Sequence, residues 1–394
     1  MRKTTMQSIK QLSRIGAAVA AVLSVCATAQ AADPIRIGVP VGLSGANSVI
    51  APGVVQSSQL AVDEINKAGG IAGRQVVLEI ADDGSGAVGA QKAYDSLIFQ
   101  KKVDAVISLE TSAARNAALP IVNRGKVPMI YTSFYEGRSC SPWMHVNGWV
   151  PEQQVAPLVD FMMKEKQAKT FFLVGSDYAF GRGMLDFTRK YIEKQGGKLV
   201  GEEYLPIDGT DWTPVISKMR AAKPDALISA TAGGGPNVSL AKQIRAAGLT
   251  MPYGNTAIDE GTAKTMGESA AGMFISASYL TGVDSPGNRK YLEALKTKFG
   301  ADAKTANEFS VPQYEAFYLY KAAVEKAGGT SDPKKVVAAL SEVSFDGPRG
   351  VVQMDKQRHT AMAMRLGQVQ ADGSIKVLQT FDKVDPGEQC PALK

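Results

Sequence analysis

VDAVISLETSAARNAALPIVNRGKVPMIYTSFYEG, residues Val103 to Gly137, decides how the rest of the chain is read. Val103 to Leu109 is a short apolar run with β-branched residues, Glu110, Thr111 and Ser112 stand where a helix is capped, and Pro128 to Thr132 is apolar again. The order predicts strand, helix, strand. Such a crossover belongs in a parallel sheet, whose ligand crevice lies beyond the carboxyl ends of the strands. Both polar corners, Glu110 to Ser112 and Thr132 to Tyr135, are therefore expected to open onto a crevice.

Working outward, the same alternation continues on both sides. Upstream, Ile35 to Leu43 reads as a strand, Val54, Ala61, Ile65 and Ala68 as a helical stripe stopped by Gly69-Gly70, Val76 to Ala81 as a strand, and Ala90 to Phe99 as a helix. From Pro151 the pattern restarts. Val155, Leu158, Val159 and Met162 form a stripe, Thr170 to Val174 a strand, and Gly175-Ser176-Asp177 a cap for a helix carrying Met184, Phe187 and Tyr191. Leu199 to Leu205 and Ala226 to Ala230 follow as strands, with helices through Trp212 to Met219 and Leu240 to Ala247. A βαβαβα order repeated twice predicts an α/β protein with two doubly wound parallel-sheet lobes. Met273 to Tyr279 is extended and runs into Gly282, Pro286 and Gly287, a place for the chain to cross between lobes. Helices are expected over Arg289 to Phe299, Gln313 to Ala327 and Pro333 to Leu340, and short strands with turns from Phe345.

The chain opens with Arg2, Lys3, Lys10 and Arg14, an apolar segment Ile15 to Val25, and Ala29-Gln30-Ala31, the pattern of a cleaved secretory signal peptide over residues 1–31. A lipid anchor at Cys26 is the competing reading, and the bulky Val25 before it fits poorly. Removing 31 of 394 residues leaves 363, enough for two lobes. The segment carries four of the 44 basic residues and none of the 38 acidic ones, so the remainder has a balance near +2. No dense Lys/Arg patch interleaved with aromatics appears, which argues against nucleic acid as a partner. After export, Cys140 and Cys390 would be the only thiols in an oxidising compartment, and a disulfide between them is expected.

Signals for catalysis and cofactors are weak. His145 and His359 are far apart with no acidic or Cys cluster at ligand spacing, so no metal is expected. The glycines of Gly38 to Gly45 and of Gly233-Gly234-Gly235 match no phosphate or dinucleotide fingerprint, and no cofactor is expected. Gly42-Leu43-Ser44-Gly45 lacks the second glycine of a nucleophile elbow, because Ala46 stands there. Asp82-Asp83 and Asp259-Glu260 could act as acid and base, or could simply cap helices and line turns.

The candidate site residues each carry two readings. Ser112 and the free amides of its helix could hold a carboxylate or carbonyl oxygen, or Ser112 could be an ordinary N-cap. Thr132 and Ser133 end the following strand. Tyr178 and Phe180 could stack on a ligand or pack against the lobe, and Trp143 and Trp149 are equally ambiguous.

Several of these segments resemble the exported solute-binding proteins of branched-chain amino acid ABC importers, the Leu/Ile/Val-binding proteins, and their amide and urea relatives. The carriers are IRIGVPVGLSG, AVDEINKAGGIAGRQVVLEIADDGS, VGAQKA, VPMIY, GSDYAFGRGM and KPDALISA. TSAARNAALP, Tyr135-Glu136-Gly137, the PEQQ of Pro151 to Gln154 and GPRGVVQMDKQRHTAM are closer to the amide and urea branch.

The resemblance implies a type I periplasmic binding protein. Its N-terminal lobe would be 32–148 with 279–341, its C-terminal lobe 149–278 with 342–394, and the two would be joined by a three-strand hinge. A small molecule would be enclosed between the lobes in the periplasm and passed to the permease subunits of an ABC importer. By position, Ser112, Thr132 and Ser133 would meet the ligand's polar head from one lobe and Tyr178 from the other. Glu110 stands where the amide binders have an aromatic, and Phe180 where many members have tyrosine. Gly254-Asn255-Thr256-Ala257 lacks the acid that holds an amino-acid ammonium, and Asp259 and Glu260 come a few residues late, which favours an amide, urea or small carboxylic acid. An aromatic acid stays open. A ligand-sensing regulator of the same fold and a hydrolase of small amides are the alternatives. Export speaks against the first, and a turnover assay separates the second.

Overall fold

The structure is a computed structural model that describes residues 33–84 and 86–393. The expected signal peptide and Cys26 lie outside the described residues. Among those described, fourteen strands form two sheets.

The first sheet contains β1 (Ile35–Val41), β2 (Val76–Asp82), β3 (Ala105–Ser108), β4 (Met129–Tyr131) and β5 (Met144–Val146) in the order β2-β1-β3-β4-β5. All its pairings are parallel, with Ile35 opposite Val76, Ile37 opposite Ala105, Val106 opposite Met129 and Met129 opposite Met144. Ile35, Ile37, Val39 and Val41 are each fully buried, and burying such a side chain contributes about 1.5–3 kcal/mol relative to exposure. The helix Ala51–Lys67 covers this sheet with Val54, Leu60, Ala61 and Ile65. It ends at Gly69-Gly70, where Gly70 has φ +81° and a Cβ would lie 2.1 Å from the Arg74 carbonyl, so the turn requires glycine. The expected single helix through Phe99 is instead the helix Ala87–Asp95 followed by a π turn, Ser96–Gln100, which turns Leu97 and Ile98 into the core.

The second sheet contains β6 (Thr170–Ser176), β7 (Lys198–Leu205), β8 (Ala226–Ala230), β9 (Tyr253–Asn255), β10 (Phe274–Ala277), β11 (Ser344–Gly347), β12 (Gly350–Met354), β13 (Thr360–Val369) and β14 (Ile375–Val384). Its order is β11-β12-β13-β10-β9-β8-β6-β7, with β14 pairing β13. The part from β7 to β10 is parallel. In the rest, β11 to β14 are antiparallel and β13 joins β10 antiparallel, Phe274 opposite Gln368, a join the sequence did not show. The expected short C-terminal strands include two of ten residues, β13 and β14.

The chain changes sheets three times. It leaves the first between β5 and the helix Pro151–Lys164, and returns after β10 to the helices Pro286–Phe299 and Ser310–Lys326, which pack against Ala51–Lys67. The third passage is the hairpin β11–β12, which rests on Ser310–Lys326 and pairs with β13. Arg349, at the turn of that hairpin, ties the passages together. Its guanidinium pairs with Glu315 at 2.7 Å, both side chains being fully buried, and also donates to Asn147 O and Oδ1 and to Ser278 Oγ. Glu308 accepts from Ser278 Oγ at 2.6 Å and from the Tyr279 amide at 2.5 Å. Cys140 and Cys390 are joined in a disulfide, with 5.7 Å between their Cα atoms, which fastens the tail beside the segment that follows β4.

Candidate functional site

Both sheets have a point where the strand order reverses about a first strand, at β1/β3 and at β6/β8, and crevices for ligands form at the carboxyl ends of strands there. One cavity lies over both points. Asn47 follows β1, Glu110 to Ser112 follow β3, Ser133 and Phe134 follow β4, Tyr178 and Phe180 follow β6, Thr231 and Gly233 follow β8, and Ala257 follows β9. Tyr131 and Phe309 complete the lining.

The apolar wall is built around Phe134. Its ring stacks on Trp149 at 4.2 Å between centroids and lies 5.0 Å from Phe309 and 5.5 Å from Phe180, which in turn sits 6.0 Å from Tyr178. Trp149 thus packs behind the cavity. Two polar atoms in the lining have no hydrogen-bond partner although buried, Glu110 Oε2 from one sheet and Thr231 Oγ1 from the other. A buried polar atom of this kind costs about 1–3 kcal/mol until it is satisfied, so each is a natural point of contact for a solute.

Glu110 is held by the Tyr94 hydroxyl, which donates to Oε1 at 2.6 Å. Burial, with the Asp83 charge nearby, pushes its carboxyl well above the usual carboxylate range, which favours the protonated form. A protonated Oε2 can donate to an oxygen.

The N-cap of the helix Ser112–Gly125 is Thr111, whose hydroxyl accepts from the Ala114 amide at 3.2 Å. Ser112 is the first helical residue instead, and its hydroxyl is engaged elsewhere: it donates to Glu136 Oε2 at 2.5 Å and accepts from Arg115 at 3.3 Å. Arg115 also binds Glu136 Oε1 at 2.6 Å, and its guanidinium lies 5.0 Å from the Tyr131 ring centroid and 4.5 Å from that of Tyr135. Burial works against the Arg115 charge, but Tyr131, Glu136 and Tyr135 outweigh it and hold the group above its ordinary value.

Glu136 reaches the opposite wall. A Cβ placed on Gly183, in the helix Ala179–Lys194, would meet the Glu136 Cβ at 2.4 Å, so the glycine is what lets the two sides close here. The Glu136 segment is itself anchored. The Arg138 amide donates to Gln389 Oε1 at 3.0 Å, Tyr135 OH and His359 Nε2 are 2.7 Å apart, and the disulfide follows at Cys140.

The structure brings Ser112, Ser133, Tyr178, Phe180 and Glu110 to one cavity. Thr132 stands behind it, its hydroxyl bound to Ser108 O at 3.0 Å and Gln313 Oε1 at 2.8 Å. The helix after β6 starts at Ala179 with Tyr178 as the cap position, so Gly175-Ser176-Asp177 does not cap it as the sequence suggested. Asp82 holds Ser44 and Gly84 in a turn, Asp259 caps the helix Glu260–Met266, and Glu260 binds Thr281. These acids do the work of caps and turns. His145 faces Ser341 at 3.0 Å, and burial holds His359 down to about 4, so it is neutral at pH 7. Among the described residues, no group of three or more His, Cys, Asp and Glu is arranged to hold a metal ion.

Sequence reasoning did not find Phe309 or Thr231, included Phe134 only within the corner Thr132 to Tyr135, and met Arg115 and Glu136 only within motifs. Arg115 lies three residues after Ser112 on a helix, a spacing that places both on one face and could have flagged it. Phe309 arrives from a distant helix, and no local signal points to it.

The chain is similar to known proteins over most of its length. Residues 34–374 match the family described as periplasmic binding protein. The "Leu/Ile/Val-binding protein homolog 6" of Brucella melitensis is 24% identical over 397 residues, covering 95% of this chain and 99% of that protein. A leucine-, isoleucine-, valine-, threonine- and alanine-binding protein of Pseudomonas aeruginosa is 25% identical, over 88% of this chain and 92% of its own length. Among solved structures, an ABC transporter solute-binding protein from R. palustris in complex with 4-hydroxybenzoate superposes with a TM-score of 0.83 at 24% identity, covering 90% of this chain and 99% of that one. The substrate-binding protein LivJ of Streptococcus pneumoniae in complex with isoleucine gives 0.77 at 23% identity, covering 89% and 99%.

Proposed function

Because this chain belongs to the periplasmic binding protein family, we propose that it captures a small polar-headed solute in the cavity between its two sheets and delivers it to the permease of an ABC importer. It is the substrate-binding component of such an importer, and the similar proteins are transport binding proteins rather than enzymes. The observation that carries the reading is the cavity over both strand-order reversals, lined from both sheets and holding a buried unpartnered polar atom from each.

The moving bodies are 32–148 with 279–341 and 149–278 with 342–394, and the three passages between sheets are the hinge. A solute that touches Glu110 and Ser112 on one side and Tyr178 and Thr231 on the other favours the closed form by its differential affinity. The head group is an amide, urea, amino-acid or carboxylic-acid function, and the aromatic wall suits an apolar tail. The R. palustris and S. pneumoniae proteins, which hold 4-hydroxybenzoate and isoleucine, are consistent with solutes of this size. No catalysis is part of this reading, since the paired acids serve caps and turns. The protein works in the periplasm, and none of the described helices is long and apolar enough to cross a membrane.

A thermal-shift series of amides, amino acids and aromatic acids finds the solute, because a ligand of the folded state raises stability with the logarithm of its excess. With the best of the series, Tyr178→Ala should weaken binding by roughly 5- to 150-fold, about 1–3 kcal/mol, with little change in unliganded melting. Unchanged affinity in calorimetry would refute the cavity as the site.

A further inference from the structure

Resting on the reading of two moving bodies, we infer that the C-terminal tail, residues 385–390, is a fourth crossing between them, closed covalently by Cys140–Cys390, which limits how far the cleft opens and makes that opening sensitive to a dithiol reductant. The tail leaves β14, a strand of the second sheet, at Val384. There it is still held by the second body, since Gln153 Nε2, in the first turn of the helix Pro151–Lys164, donates to Val384 O at 2.9 Å. A few residues later it is bonded to the first. Gln389 Oε1 accepts from the Arg138 amide at 3.0 Å, its Nε2 is fixed on Pro386 O at 2.6 Å, and Cys390 is joined to Cys140. Gly137 has φ +84°, and a Cβ there would lie 2.7 Å from Gln389 Oε1, so the first body is shaped to receive the tail.

The other three crossings are stretches of backbone that can bend as a hinge does. The tail differs, because the bond at Cys140 makes it a tether: opening that carries Gln153 away from Arg138 must stretch residues 385–390 or pull Gln389 from its place. The Arg138–Glu152 ion pair spans the same gap at 2.5 Å, but the Arg138 side chain is 56% exposed and such a pair resists little on its own. The tether also reaches the cavity. The segment it holds follows directly on Ser133 and Phe134 of the lining, and its Tyr135 amide donates to the carbonyl of Trp149, on whose ring Phe134 stacks, at 3.1 Å. Cys390 is buried but Cys140 is exposed, so a reductant can reach the bond. A thiolate of the dithiol attacks one sulfur and releases the other as a thiolate. The second thiol of the reductant then closes on the mixed disulfide, so that two electrons and two protons pass to the protein, leaving two cysteine thiols here and a cyclic disulfide in the reductant.

The test compares three forms of the protein without solute: oxidised, reduced with dithiothreitol, and Gln389→Ala with the disulfide kept. Small-angle scattering reads the opening and hydrogen exchange reads the tether. Reduction should enlarge the radius of gyration and speed exchange at the Arg138 and Tyr135 amides by about tenfold, while the helix Thr213–Ala222, remote from the tail, exchanges as before. Reoxidation should restore both readings. Gln389→Ala should speed exchange at Arg138 alone and leave the radius unchanged, because the covalent tether remains. An unchanged radius on reduction, with or without local loosening, would overturn the inference, as would no change at Arg138 in Gln389→Ala. Faster exchange over the whole chain, or unfolding on reduction, would also overturn it, since the disulfide would then serve global stability. Because no solute is present, these outcomes strike the tether and leave the cavity reading standing, whereas a solute that binds with unaltered affinity to Tyr178→Ala strikes the cavity reading and leaves the tether.

Discussion

Two buried ion pairs, Arg115–Glu136 at the cleft and Arg349–Glu315 at the sheet crossings, are alike in chemistry and different in surroundings. The Arg349 and Glu315 side chains are both fully buried, and Arg349 makes further bonds to Asn147, Ser278 and the Met362 sulfur. The Arg115 side chain is as deeply buried, but that of Glu136 keeps 14% of its surface exposed and lies against a glycine on the other side of the cleft. The first pair joins segments that the chain brings together from three passages between the sheets. The second stands beside the cavity, joined to its wall through Ser112. Burial without residual exposure marks a structural clasp, and the same pair at a partly open edge is free to take part in binding.

That contrast is broken most severely at the clasp. Arg349→Ala leaves Glu315 buried without its partner and should cost about 3–5 kcal/mol, measured by urea denaturation. Glu136→Gln, which keeps an acceptor for Arg115 on a side chain still in reach of water, should cost less than Arg349→Ala in the same experiment. Equal losses at the two sites would erase the distinction.

A smaller effect sharpens it through pH. Burial pushes the Glu308 carboxyl up to about 7 from an ordinary 4.5, although Arg349, Ser278 and the Tyr279 amide oppose the shift. Arg365 also lies near and adds its charge. Between those values the unfolded chain has lost the proton that the folded chain keeps. The contribution of Glu308 is therefore present below about pH 4.5 and lost as the pH rises to about 7, on the order of 3 kcal/mol in all. Glu308→Gln should remove that decline, and denaturant midpoints of both proteins from pH 4.5 to 7.5 check it. Parallel curves would show that the crossing cluster does not titrate. His359, held down to about 4 by burial, works in the opposite direction, its contribution growing as the pH rises from about 4 to its ordinary 6.5. Comparing the two proteins cancels it.

Much of the architecture was legible because its signals are local. β1 shows as a run of β-branched residues, and the helix that follows is bounded by Gly69-Gly70. β5 and β9 escaped, each being three residues long and too short to display a period. The antiparallel join of β13 to β10 was also missed, since pairing partners nearly a hundred residues apart leave no trace in either segment. At the site, strand ends and cap residues pointed to Glu110, Ser112, Ser133 and Tyr178. What sequence could not supply was engagement. That Thr132 turns its hydroxyl to Gln313, and that Ser112 gives its own to Glu136, are facts of packing between distant segments.

The central claim is that a solute closes the two lobes over this cavity. Small-angle X-ray scattering of the wild-type protein, with and without the tightest ligand of the thermal-shift series at saturation, tests it most directly. The account predicts a smaller radius of gyration when the ligand is bound, lost when Tyr178→Ala is examined at the same ligand concentration. An unchanged radius at confirmed saturation would contradict it.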